Sequence, residues 1–270
     1  MGRTVVADSA TKLGEDAHDA IVVCGSHGGL YPAWLAARAG VRAVVLNDAA
    51  IGRHQAGIAG VHWLDAFDIP ACAIDYRSAR IGDGADALAS GVVTASNDAA
   101  ARHGCVPGHT CRQIVRCLLE NAPPAAPAEV PLAMGEQRVR VPNTGHREVW
   151  LMDSAAMARP EDARKIVVAG SHGAMLGGAA DDGVLSMDVF AAFFNDAGGG
   201  KDDAGYARLP VLNARDIAAA TVSAFSARIG DGRSTYETGV LSRVNETARR
   251  LELREGMTAR EAVARLVGLA

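Results

Sequence analysis

Ile21-Val22-Val23-Cys24-Gly25-Ser26-His27-Gly28 is an apolar run that breaks on a polar, glycine-rich turn. A short Val/Ile run without alternation suits a strand buried on both faces. The phrase returns as Ile166-Val167-Val168-Ala169-Gly170-Ser171-His172-Gly173, and Asp8-Ser9-Ala10 returns as Asp153-Ser154-Ala155. Both pairs share one offset, since 153 − 8 and 172 − 27 each give 145. Further on the offset becomes 148, and it then holds without a gap. It carries Asn47-Asp48-Ala49 onto Asn195-Asp196-Ala197, and Ser78-Ala79-Arg80-Ile81-Gly82-Asp83-Gly84 onto Ser226-Ala227-Arg228-Ile229-Gly230-Asp231-Gly232. Self-similarity on this scale predicts a tandem duplication. The first α/β unit covers residues 1–119, a Pro-rich linker and hairpin cover 120–145, and the second unit covers 146–270.

Within the first unit, strands are expected near Thr4–Ala7, Ile21–Cys24, Ala43–Leu46 and Ala71–Ile74. Longer amphipathic stretches lie between them. Tyr31–Ala39 is one, with Pro32 in its first turn, where a missing N–H costs nothing. Each unit closes on a capping box, Thr110 with Gln113 and Thr258 with Glu261. Between the units, Asn121–Pro127 is proline-rich and extended. Gln137–Val141 alternates, Pro142–Gly145 turns and Glu148–Met152 resumes, which predicts a hairpin. Strands alternating with helices give the fold class: α/β, two pseudo-twofold-related copies of a mostly parallel, helix-flanked sheet.

Composition narrows the function classes. Aromatic residues are only 4%, so small aliphatic side chains must fill the core. A net charge of −4 with no basic stripe argues against nucleic acid. No run approaches the roughly 20 apolar residues of a membrane span, and the start lacks the apolar core of a secretion signal, so the expected location is the cytoplasm. Five cysteines match no disulfide framework and no zinc spacing. Four of them (Cys24, Cys72, Cys105 and Cys111) fall opposite Ala169, Ala220, Leu253 and Ala259, which makes them core filler. A homodimer is the default assembly for such a chain.

In parallel sheets ligands sit beyond the carboxyl ends of the strands, and the repeated polar motifs all fall there. His27 and His172 are the two histidines that map onto each other, and they are the acid–base candidates. Asp48 and Asp196 follow strands and either join that chemistry or close Asx turns. Ser26 and Ser171 are candidate nucleophiles, with capping as the plainer role. Gly28 and Gly173 sit where backbone N–H groups could meet an anion or oxyanion. Arg80 and Arg228 can grip a carboxylate or phosphate, or pair with Asp83 and Asp231 in their own loop. Ser9 and Ser154 complete the substrate-binding candidates. Asp8 and Asp153 are the candidate ligands for a divalent metal, and no nucleotide-cofactor fingerprint is present. His54 falls opposite Asp202 and Arg53 opposite Lys201, so that loop is where the halves would divide labour.

These groups suit an enzyme acting on a small polar metabolite bearing a carboxylate, carbonyl or amide, at a site between the two units. Hydrolysis by His/Asp acid–base chemistry is the leading expectation. The alternatives are an isomerase or lyase with paired acid and base, and a non-catalytic anion-binding protein.

Overall fold

The apolar runs become strands because both of their faces are covered. All eight residues of β2 (Ala20–His27) and all five of β3 (Ala43–Asn47) are buried. The computed structural model describes residues 2–122, 124–125, 129–177 and 185–269. β1 (Arg3–Ala7), β2, β3 and β4 (Ala71–Ile74) lie side by side in chain order and run parallel. β5 (Val93–Ser96) adds an antiparallel edge next to β4. Helices α1 (Leu30–Arg38) and α2 (Ala59–Trp63) cover one face, and α3 (Gly84–Ser90) and α5 (Cys111–Asn121) cover the other. The short α4 (Asp98–Arg102) follows β5.

The second sheet has six strands. β6 (Arg138–Val141) and β7 (Val149–Met152) form the expected antiparallel hairpin. β7, β8 (Ile166–His172), β9 (Ala191–Asn195) and β10 (Ala218–Val222) then run parallel, and β11 (Leu241–Val244) closes the edge antiparallel. Its helices are α6 (Arg208–Ala214), α7 (Gly232–Thr238), α8 (Glu246–Arg250) and α9 (Ala259–Val267). The protein is thus a mixed α/β molecule with two mostly parallel sheets flanked by helices. Both capping boxes form, at the starts of α5 and α9. The antiparallel edges are the departure from the four-strand expectation. Both follow the Arg/Asp loop and its helix, and a residue shortly before each, Val92 or Val240, bridges to Thr110 or Thr258, the caps of α5 and α9. Among the described residues no helix joins β8 to β9, where α1 joins β2 to β3. Of the proline-rich linker, Pro123 and 126–128 lie outside the described residues.

The carboxyl ends of the two sheets face each other. Ala49, Ile81, Ala174, Ala197, Ala204 and Ile229, drawn from strand-end loops of both halves, form one buried apolar cluster. Two backbone bonds flank it: Arg53 N–H to Ala224 O (2.8 Å) and Lys201 N–H to Tyr76 O (2.9 Å). The chain reaches this joint through left-handed turns. Ala49, Ala50, Ile51 and Gly52 all have positive φ, as do Ala197, Gly198, Gly199 and Gly200. A left-handed β-branched residue such as Ile51 (φ 61°) is strained, and its counterpart Gly199 is not.

Ile81 is 2% exposed at the centre of this joint. Ile81→Ala should lower the unfolding free energy by about 2–5 kcal/mol, read as a shift of the urea midpoint. An unchanged midpoint would mean that the halves are not held together through this cluster.

Candidate functional site

Where the sheets meet, a cleft of about 600 Å³ opens beside His27. Its walls include Tyr31 and His54 from the first half, Glu136 and Gln137 from the connector, and Asp153, Arg228 and Arg233 from the second. A larger hollow of about 770 Å³ lies elsewhere, among Arg164, Asp188, Arg215, Asp216 and Arg250. There Arg215 pairs with Asp188 and Arg250 with Asp216. The cleft is the better candidate because it gathers buried and incompletely paired groups.

His27 ends β2 and is only 8% exposed. Burial pushes its imidazole from 6.5 down to about 4, so it is neutral at physiological pH. Its Nδ1 accepts the Gly29 N–H at 3.1 Å, which leaves Nε2 as the protonated nitrogen. The ring lies against Gly230, where a Cβ would come within 3.3 Å of Cε1; φ there is +79°. Loop two therefore touches the histidine of half one. Loop one returns the contact: Gly82 lies under Met175, with its O accepting the Gly177 N–H at 2.8 Å. His172 is likewise buried and its Nδ1 accepts the Ala174 N–H at 3.3 Å. Burial first, then Arg208, then His27, hold it well below the usual histidine range.

The two arginine loops carry the same phrase but not the same charge. Arg80 is ringed by Asp83, Asp86 and Asp202 at 3.1, 3.5 and 3.1 Å. Among the described residues Arg228 pairs with Asp231 alone, at 2.6 Å. Ser234 stands where the first loop has Asp86, and His54 stands where the second half has Asp202. Arg228 is thus less fully countered than Arg80, and Arg233, which pairs with Glu237 at 3.7 Å, stands where the first loop has Ala85.

The connector supplies what the repeat could not reveal. Trp34 of α1 donates to Pro131 O at 2.8 Å, laying residues 129–137 along the first half. Glu136 then meets Tyr31, which hydrogen-bonds to it. Burial, opposed by that bond and reinforced by Asp153, raises the Glu136 carboxyl above its usual range. Asp153 is raised too, by burial, against the Gln137 and Gly232 N–H groups its oxygens accept. Two neighbouring carboxyls with raised pKa are the signature of acid–base work. Glu136 and Tyr31 lie outside the repeated motifs, so only the isolated Gly135-Glu136-Gln137 between linker and strand could have pointed to them.

The other candidate residues do structural duty. Ser26 and Ser171 Oγ accept the Ala10 and Ala155 N–H groups at 3.0 and 2.9 Å. Ser9 Oγ accepts the Thr11 N–H, and Ser154 Oγ the Ala156 N–H. Asp48 accepts the Ala50 and Tyr76 N–H groups and the Thr94 hydroxyl. Asp196 accepts the Gly198 and Ala224 N–H groups. Gly28 and Gly173 give their N–H groups to Asn47 and Asn195 carbonyls, at 2.7 and 2.9 Å, rather than to a ligand. Asp8 accepts the Gly84 N–H as Asp153 accepts that of Gly232. Among the described residues no three His, Cys, Asp or Glu side chains converge as metal ligands. The cysteines are mostly buried, and burial pushes the Cys24 thiol up to about 11 and Cys111 to about 12. Among the described residues no helix is long and apolar enough to cross a membrane.

One cation stands apart. Arg208 at the start of α6 is 5% exposed, and its Nε and Nη1 have no acceptor among the described residues. Its Cζ stands 5.0 Å from the Phe194 ring centroid. Each orphaned buried donor costs roughly 1–3 kcal/mol, and a cation–π contact returns about 2 kcal/mol at best.

Comparison with protein-family models, with curated proteins and with solved structures gives no match.

His27 takes up its proton below the value of an unfolded histidine. Unfolding therefore binds protons between pH 6.5 and about 4, and stability present at neutral pH is lost as pH falls through that window. His27 alone should contribute a loss of about 3 kcal/mol between pH 7 and pH 4. Urea melts of the native protein and His27→Leu test this; parallel pH slopes would show that His27 is not held neutral.

Proposed function

We propose that the chain is an enzyme acting on a small polar metabolite in the cleft at His27, and that its reaction is hydrolysis of an amide or ester linkage near a carboxylate. We read the two sheets as copies of one duplicated unit related by a pseudo-twofold axis. The matched offsets and the reciprocal bonds Arg53 to Ala224 and Lys201 to Tyr76 support this reading. One observation carries the functional reading. A neutral buried imidazole, an incompletely paired arginine and two carboxyls of raised pKa line one cleft, while the matching groups of the other half are neutralised or covered.

In this reading Arg228, with Arg233, holds the substrate carboxylate. His27 Nε2–H donates to the carbonyl oxygen; a neutral imidazole with Nδ1 fixed by Gly29 is a preorganised donor as negative charge builds there. A water adds to the carbonyl carbon and gives its proton to Asp153. The C–N or C–O bond breaks, and the acid form of Glu136, which burial favours by raising its pKa, delivers a proton to the leaving atom. The serine hydroxyls face backbone N–H groups, which favours direct attack by water over an acyl-enzyme. The same pair of carboxyls around a neutral donor also serves proton transfer beside a carbonyl, so an isomerase or lyase is the second reading. The cytoplasm remains our proposed location.

The test is a panel of N-acyl amino acids, lactams and carboxylate-bearing esters followed by proton NMR in deuterated buffer. Bond cleavage is the expected result, with His27→Ala slower by about 10²–10³-fold and Glu136→Gln by about 10²–10⁴-fold. Deuterium wash-in without cleavage would replace hydrolysis by isomerisation. No conversion of any compound, or equal rates in His27→Ala, would end the proposal.

A further inference from the structure

Arg208 is a buried cation that the described chain leaves unanswered. Among the described residues no carboxylate pairs with it, and burial lowers its pKa only to about 10, so the group stays charged at physiological pH. Its backbone N–H is committed to Gly173 O at 2.9 Å, which sets the residue beside the turn that carries His172, near enough for its charge to depress that imidazole. That imidazole is neutral with Nδ1 engaged, so its Nε2 presents an N–H donor. Nε and Nη1 of the guanidinium add three more N–H groups without an acceptor. Chains do not bury unpaired charge without compensation, and Phe194 offers a face but no countercharge. The position is specific to this half, since Gly60 stands there in the first.

We propose that Arg208 and His172 bind a small oxyanion, a carboxylate or phosphate group, at a site in the second half distinct from the cleft at His27. Neither residue lines that cleft. The site does not rest on the enzymatic reading, because it requires only charge and donors.

The experiment titrates inorganic phosphate and malonate, with chloride at matched ionic strength, into the full chain carrying Arg228→Gln, so that the cleft's loop arginine cannot account for binding; binding through Arg233 would survive Arg208→Met and so overturn the site. Calorimetry and thermal melting are the readouts. Saturable binding with a rise in Tm is expected for phosphate or malonate and not for chloride, and the stronger of the two identifies the group. Adding Arg208→Met should weaken binding about 10–100-fold, while the ligand-free double variant melts no lower than its parent because the unpaired charge is gone. Absence of saturable binding in the Arg228→Gln protein, or equal binding after Arg208→Met, overturns the site. Should Arg208→Met fail to fold, Arg208→Gln takes its place. Mutual competition of phosphate and malonate in the Arg228→Gln protein then supports one shared site, and independent binding of the two overturns it.

Discussion

Two parallel sheets that meet at their carboxyl ends must satisfy a demanding geometry. Strand-end loops that would ordinarily face solvent and ligand are instead packed on one another around Ile81 and Ile229. To come that close the chain turns through left-handed backbone after β3 and β9, and every polar group there has to find a partner locally. That requirement explains why so many of the conspicuous serines and aspartates close turns. Asp48 and Asp196 each gather N–H groups from two loops, fixing the turn after one strand to the turn after the next. The joint is made of the very residues that look catalytic in the sequence.

Function then has to come from what the joint leaves unsettled. The halves share motifs, yet small substitutions alter their electrostatics. Asp86 against Ser234 and Asp202 against His54 decide whether the loop arginine is fully neutralised or retains charge. Gly60 against Arg208 places a buried cation on one side alone. The two histidines are alike in burial and tautomer, and what stands beside each one separates them.

Much of this architecture was legible in the chain. The Val/Ile runs, the capping boxes at Thr110 and Thr258 and the hairpin at 138–152 each follow from local patterning, and each is present. The edge strands β5 and β11 were not, because Val93–Ser96 is short and only its first residue is fully buried. Of the residues singled out by repetition, His27, Asp153 and the Arg228–Asp231 stretch reach the cleft. Repetition marks what both halves need, so it favours structural residues. Glu136 and Tyr31 have no partner in the other half, and their proximity depends on a connector path that no local pattern encodes.

That path matters beyond the groups it carries. The two halves have a single covalent bridge, and it meets them differently: its middle lies on the first half, and its end joins the second sheet as β6. Here it runs along α1, anchored by Trp34, and ends as a wall of the cleft. Connectivity by itself therefore breaks the equivalence of the halves before any side chain differs. The bridge adds a wall at the His27 end of the joint that the repeated motifs alone do not supply.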